Sequence, residues 1–115
     1  MALIKKQRPL HWTSHSKAKM NFYRLSAGRV KRIINSPERV EVGIASNTIA
    51  MMQSVKSQKR PYEIWVMIQE TKSKRKVIST WRYPGITKPR SESALDFLLR
   101  EYDEFVSEDD FKNEA

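Results

Sequence analysis

The segment YEIWVMIQET, residues 62 to 71, constrains the fold more than any other part of the chain. In an extended strand its three β-branched residues at even positions point to one face, while Trp65 and Met67 point to the other. A strand that is apolar on both faces belongs inside a sheet that is covered on both sides. The segment therefore predicts a central strand that is apolar on both sides.

Two further stretches, residues 39–55 and 76–83, are rich in β-branched and aromatic residues and predict the neighbouring strands. Gly43 and the polar residues 45–47 divide the first stretch into two strands. Short polar turns separate the resulting four strands. Short connections favour an antiparallel meander.

Two short helices are predicted before these strands. Ser14 or Ser16 is placed to cap the first helix and Ser26 the second, because serine oxygens accept hydrogen bonds from the free N–H groups of a first turn. The second helix has apolar residues at three- and four-residue intervals, so one face packs inward. Pro37 ends it.

A third helix is predicted after the last strand, with Ser91 as its cap and Glu92 in its first turn, where the helix dipole favours an acid. Its apolar stripe needs a cover, either the second face of the sheet or another subunit. The stripe consists of Leu95, Leu98, Leu99, Tyr102 and Val106.

The sequence therefore predicts one α+β domain over residues 1–107, with an acidic, disordered tail over residues 108–115. The domain has two N-terminal helices, a four-stranded, mainly antiparallel sheet and an amphipathic C-terminal helix. The chain has no cysteine, which excludes disulfides, thiolate metal sites and cysteine nucleophiles. No window approaches the roughly 20 apolar residues of a membrane span, so we expect a cytoplasmic protein and no membrane partner.

Charge is distributed unevenly along the chain. The net charge is +9, but the segment from Glu92 onward has nine acidic and two basic residues, a charge of −7. Residues 1 to 91 therefore carry +16. A body this basic attracts polyanions and releases their counterions, so nucleic acid is the expected partner. The alternative is a basic surface that serves solubility alone.

The sequence lacks the motifs of several enzyme classes. There is no glycine-rich phosphate loop and no His/Glu metal spacing, and only His11 and His15 supply imidazoles. We expect no cofactor and no metal. What remains is a set of cations and aromatics that can hold phosphates, stack on unpaired bases and stabilise the charge of a phosphate under attack by a ribose hydroxyl. The candidate nucleic-acid-binding residues are Lys19, Arg24, Arg29, Arg32, Arg75 and Lys76.

The candidate catalytic residues are His15, Arg82 and Tyr83, and each has a structural alternative. His15 suits acid and base work but equally suits a capping or core-edge position. Arg82 alternates with its aromatic neighbours along a strand and is either an exposed bystander or an anion ligand. Tyr83 ends the strand before Pro84, where its hydroxyl can donate to a carbonyl or to a phosphate.

The string HSKAKMNFYRLSAGRVKRIINSPERVE, together with YEIWVMIQE and RKVISTWRYPG, resembles a small prokaryotic and phage family of unknown function. That family has a His-Ala-x-x-Arg-Met helix, a short turn, a second helix and a β-meander, and it is similar to the RelE-type and BrnT-type ribonuclease toxins. His15 and Met20 match the motif, while Ser16 replaces the alanine and Lys19 replaces the arginine. The acidic C-terminal helix departs from the pattern.

The resemblance implies a RelE-like sheet and a metal-independent endoribonuclease. Arg82 would stabilise the phosphate, Arg75 or Lys76 would hold the RNA backbone, and Tyr83 or His15 would transfer a proton. Lysine at position 19 loses the bidentate phosphate geometry of arginine.

Two alternatives stay open beside this RNA-binding, toxin-like function. One is a non-catalytic nucleic-acid-binding module. The other is a protein-interaction domain whose C-terminal helix mediates a homodimer or binds an acidic, antitoxin-like protein. Which RNA is bound, and whether a ribosome takes part, does not follow from the sequence.

Overall fold

The computed structural model describes residues 8–42, 45–56 and 59–110, which form an α+β fold with three helices and a five-stranded mixed sheet. None of the helices in these ranges combines the length and apolar character that crossing a membrane requires. The strands are β1 (Leu10–Trp12), β2 (Arg39–Val42), β3 (Thr48–Val55), β4 (Tyr62–Glu70) and β5 (Arg75–Pro84). The helices are α1 (Ser14–Tyr23), α2 (Ala27–Asn35) and α3 (Glu92–Phe105), and a π-helical turn (Val106–Asp110) continues α3.

The sheet order is β1-β5-β4-β3-β2, which places β4 at the centre. The prediction of a central strand with two apolar faces is confirmed, because β4 is the middle strand and its residues 63–68 are all buried. The prediction of four strands is wrong in detail. Residues 10–12 form a fifth strand that pairs parallel to β5, and three residues are too few to show an alternating pattern. Gly43, predicted to divide β2 from β3, lies outside the described residues.

Two hydrophobic clusters lie on opposite faces of the sheet. On one face α2 packs Val30 and Ile33 against Ile64 and Val66 of the central strand. On the other face α3 packs against Trp65 and Trp81, which stack on each other at 6.0 Å between ring centroids. Each side of β4 thus has its own helical layer, which is the arrangement that its two apolar faces require.

The buried face of α3 differs from the predicted stripe. Leu98 is fully buried, but Leu95 and Leu99 are 37% and 49% exposed. The residues that face the sheet are Ala94, Leu98, Glu101 and Phe105, so the face includes a carboxylate. The chain continues past residue 105 as the π-helical turn, so the predicted acidic tail begins inside a helical segment, and residues 111–115 lie outside the described residues.

The loop between β5 and α3 is fixed to the sheet by a second buried carboxylate, Glu63. Its oxygens accept hydrogen bonds from the Thr87 backbone N–H at 2.9 Å and from the Thr87 hydroxyl at 2.8 Å. The guanidinium of Arg39 donates to the Thr87 carbonyl at 2.9 Å and to its hydroxyl at 2.6 Å. Thr87 therefore joins the loop to strands β2 and β4 of the sheet.

Replacing Thr87 by valine should lower the free energy of unfolding by about 1–3 kcal/mol, because Glu63 and Arg39 each lose a buried hydrogen-bond partner. Urea denaturation of both proteins measures the difference. The matched control is Ile86→Ala, next in the chain and 55% exposed, which should change the value by about 0.5 kcal/mol or less. Equal losses in the two variants would contradict the role given to the threonine.

Candidate nucleic-acid interface

The turn between α1 and α2 brings basic residues of both helices together. Arg24 ends α1 in the left-handed conformation, with φ at 58°, and the Leu25 N–H donates to the Met20 carbonyl at 2.8 Å. Ser26 then caps α2 at once, its hydroxyl accepting from the Arg29 N–H at 3.1 Å. Because only Leu25 separates the end of one helix from the cap of the next, Arg24 and Arg29 line the same depression.

That depression is a groove of about 310 Å³, which we call the arginine groove. Strands β4 and β5 supply its other side. Its walls contain no carboxylate among the described residues, which makes it strongly cationic. The four arginines that define it are Arg24, Arg29, Arg32 and Arg82, and they are joined by Leu25, Ser26, Tyr62 and Ile64.

Arg82 is held in place and keeps unused hydrogen-bond donors. The Nε of Arg82 donates to the Tyr23 carbonyl at 3.1 Å, and its guanidinium lies over the Tyr62 ring at 5.1 Å. Its Nη groups make no hydrogen bond to the residues that the structure describes. The Nε of Arg29 is buried and makes none either. An anion in the groove would therefore meet the oriented Nη donors of Arg82.

The positive charge of the groove is not neutralised by the fold. The acids of the first 91 residues are engaged elsewhere: Glu70 pairs with Arg8 and Arg75, and Glu41 pairs with Arg39. No groove arginine forms an ion pair within residues 8–42, 45–56 and 59–110. The N-terminus of α2 adds the partial positive charge of its free N–H groups. The arrangement suits phosphate, which guanidinium groups bind bidentately.

The predicted residues His15 and Lys19 are placed differently, against the acids of α3. His15 is 3% exposed, and its Nδ1 lies 3.0 Å from Glu108 Oε1 while its Nε2 lies 3.4 Å from Glu101 Oε1. Lys19 Nζ lies 3.0 Å from Glu101 Oε2 and 3.6 Å from Glu104 Oε1. We call these five residues the ion-pair cluster. It joins α1 to α3 and the turn after it.

Glu101 is the centre of the cluster. It is 2% exposed, and the Ser79 hydroxyl of β5 donates to its Oε1 at 2.5 Å. Burial alone would raise the pKa of Glu101, but hydrogen bonds from His15, Ser79 and Lys19 outweigh it and lower that pKa. Burial alone would likewise lower the pKa of His15, but its bonds to Glu101 and Glu108 raise it. These contacts favour the charged form of His15.

These shifts predict a pH window for stability. The pKa of His15 is raised above its ordinary 6.5 in the folded state, so its contribution is complete below that value and is lost as pH rises through the folded pKa. Glu101 contributes above its ordinary 4.5 and loses that contribution as pH falls through its lowered pKa. The cluster therefore stabilises the fold most between those two ordinary values.

Urea denaturation from about pH 6 to about pH 8.5, the range in which imidazoles titrate, tests the upper side of this pH window. The unfolding midpoint of the native protein should fall across this range, and that of His15→Gln should stay nearly constant. Both proteins retain His11, which serves as the internal control. The same decline in both proteins would show that His15 is not the titrating group.

The cluster also contains the ligand types of a divalent-cation site. One ligand atom from each of His15, Glu101 and Glu104 lies within 4.8 Å of the others. The ammonium of Lys19, however, contacts both carboxylates and already supplies the positive charge that a cation would bring. The residues therefore fit an ion-pair network better than a metal, and the sequence-based expectation of no metal stays a prediction.

The sequence-predicted residues thus fall into separate places. Arg24, Arg29, Arg32 and Arg82 come together in the arginine groove. Arg75 pairs with Glu70, and Lys76 is half-buried in β5 opposite His11 of β1. Tyr83 packs on the α3 side of the sheet, with its ring 5.4 Å from that of Phe97. The three proposed catalytic residues do not converge, since Arg82 points away from the face that holds Tyr83 and from the acids that hold His15.

Sequence reasoning missed Tyr62, Ser26 and the buried carboxylates. The aromatic start of β4 gave a strand signal but no sign of a partner for Arg82. Ser26 was predicted only as a cap, although it also lines the groove. Glu101 carried no local signal, because an acid in an acidic helix is indistinguishable from its solvent-exposed neighbours until the helix packs.

Comparison with known proteins adds no relative. No protein-family model matches the chain, and neither a curated protein nor a solved structure matches it. The resemblance to the His-Ala-x-x-Arg-Met family and to the ribonuclease toxins therefore stays a prediction. The function of the protein has to be inferred from its fold and from the arginine groove.

Proposed function

We propose that this protein binds RNA through the arginine groove, which contacts phosphates of the backbone. The observation that carries the proposal is the set of four arginines around one groove, without a carboxylate in its described walls and without an ion pair to the described residues. Phosphate contacts of this kind supply affinity and orientation with little dependence on sequence. RNA is the polyanion that the toxin-like resemblance implies.

Binding without cleavage is the form of this function that the geometry supports best. Cleavage by the toxin-like mechanism would need a proton-transfer group beside Arg82, and His15 and Tyr83 both contact α3 instead. Both ring nitrogens of His15 also lie against carboxylates of α3 and of the turn after it, so neither is directed at the groove. The protein would then hold RNA as a binding module.

The test is a binding and cleavage experiment on one sample. The purified protein is mixed with end-labelled single-stranded RNA in EDTA, fluorescence anisotropy is recorded at several salt concentrations, and the RNA is then run on a denaturing gel. We expect binding that weakens linearly in log salt, together with intact RNA. Binding that is absent or insensitive to salt would overturn the proposal, and cleavage that survives EDTA would restore the endoribonuclease.

A protein partner at the C-terminal helix is the second candidate. Leu95, Leu99 and Val106 are 37%, 49% and 38% exposed on one side of α3 and are uncovered by the described residues. Exposed acids, Asp96 and Asp103, flank them, so like-charge repulsion disfavours an acidic antitoxin-like protein on this side. The candidate to test is a homodimer that buries the three apolar side chains. Light-scattering mass determination of the native protein and of Leu99→Glu tests it: a dimer that the substitution dissociates supports the candidate, and a native monomer ends it.

A further inference from the structure

The most exposed large apolar side chain among the described residues is an aromatic ring beside the arginine groove. Phe22 is 73% exposed, in the last turn of α1. Its ring meets that of Tyr23 at right angles, with 4.8 Å between the centroids, and this contact leaves most of the Phe22 ring in solvent. A phenylalanine in the core would have buried that surface, so packing of the fold does not explain its position.

The groove begins at the residues immediately after Phe22. Tyr23 offers its carbonyl to Arg82, and Arg24 is itself a wall of the groove. Two peptide units separate Phe22 from Arg24, so their Cα atoms lie at most about 7 Å apart. A strand of RNA with a phosphate in the groove would therefore carry a neighbouring base within reach of the ring.

Charge around the ring favours a nucleic acid as its occupant. From residue 17 to residue 35 the chain has six lysine and arginine residues and no acidic residue. Of these cations, Lys19 pairs with α3, while Arg24, Arg29 and Arg32 remain around the groove. Exposed aromatic rings in basic surroundings bind single strands by stacking on bases, which works for every base because each has a π-face.

We propose that Phe22 is a stacking platform for an unpaired base and that it makes the protein selective for single-stranded RNA over duplex RNA. This inference rests on the proposed function, because the arginine groove supplies the phosphate contacts next to the stacked base. In a duplex the bases are already stacked and paired, and side chains do not reach them in the deep major groove of the A-form helix. Duplex RNA would use the arginines alone.

The experiment compares a single-stranded oligouridine and a duplex of the same length, each measured by fluorescence anisotropy. The proteins are the native chain, Phe22→Ala, Phe22→Leu and Phe22→Tyr. Leucine keeps an apolar side chain without a π-face, and tyrosine keeps the ring. We expect alanine and leucine to weaken single-strand binding by about 5- to 150-fold at unchanged salt dependence, with tyrosine near native. Duplex affinity should not change.

A direct readout of stacking uses 2-aminopurine placed within the oligouridine. Its fluorescence should be quenched on binding to the native protein and to Phe22→Tyr, and should stay bright with Phe22→Leu. Because the side chain is exposed, circular dichroism should show native folding of all variants. The stacking role would be overturned if Phe22→Leu bound the single strand with native affinity, or if it still quenched the 2-aminopurine fluorescence.

The failure of this inference is distinguishable from the failure of the proposed function. Substitutions in the groove, Arg24→Gln with Arg32→Gln, are measured beside Phe22→Ala on the same RNA. If the groove variant loses binding and Phe22→Ala does not, the groove binds RNA and the platform is wrong. If neither variant loses binding, both proposals fail, and the RNA lies elsewhere on the basic surface.

Discussion

Replacing Arg24 and Arg32 together by glutamine should weaken RNA binding about 100-fold at low salt. Both residues are exposed walls of the arginine groove, so each substitution removes a charged donor without leaving a buried group unpaired. A hydrogen bond to a charged group contributes about 1.5–3 kcal/mol, and 1.4 kcal/mol is tenfold in affinity. Anisotropy titration with single-stranded RNA measures the loss.

The salt dependence gives a second measure of the same substitution. Each neutralised phosphate contributes about −0.7 to the slope of log K against log salt on single strands, so the slope should become shallower by about 1.4. The matched control is Lys72→Gln with Lys88→Gln, which removes the same charge at exposed positions outside the groove. Equal losses in both variants would show that net charge alone, and no groove, binds the RNA.

The substitution Glu101→Gln should lower the free energy of unfolding by about 3 kcal/mol. Glu101 is buried, and its carboxylate is shared by His15, Lys19 and Ser79. Removing one charge of a buried ionic network costs about 3–5 kcal/mol, because its partners stay buried without compensation. We place the expected value at the low end because Lys19 is partly exposed and keeps a second carboxylate nearby.

Urea denaturation of the variant and of Glu104→Gln measures this effect against a control on the same helix. Glu104 belongs to the same cluster, but its side chain is 42% exposed, so its loss should cost about 1 kcal/mol or less. A similar small cost for both would contradict the central role given to Glu101. RNA affinity should be native in both variants, since neither residue lines the groove.

Local patterns in the sequence predicted much of the fold. The two apolar faces of β4 and the spacing of Val30 and Ile33 in α2 depend on neighbours in the chain, so both predictions are confirmed. The caps at Ser26 and Ser91 are confirmed for the same reason. The cap of α1 is Thr13 rather than a serine, and its hydroxyl accepts a hydrogen bond from the Ser16 N–H. The same hydroxyl donates to the Val77 carbonyl of β5, a contact between distant segments that no local pattern shows.

The parts of the site that were missed depend on contacts between distant segments. Strand alternation correctly directed Arg82 away from Tyr83, and this placed it in the arginine groove. The pairing of His15 with Glu101 joins residues far apart in the chain and required the packing of α3 to be known. His15 therefore looked equally suited to catalysis and to structure, and the structure places it in an ion-pair cluster.

The most direct test of the central claim is nuclear magnetic resonance of the arginine side chains during titration with single-stranded RNA. The Nε–H signals of Arg24, Arg29, Arg32 and Arg82 should shift on binding. Those of Arg39 and Arg75, which are paired with carboxylates of the fold, should not. Bound RNA that leaves the four groove signals in place and shifts signals elsewhere would contradict the arginine groove as the site.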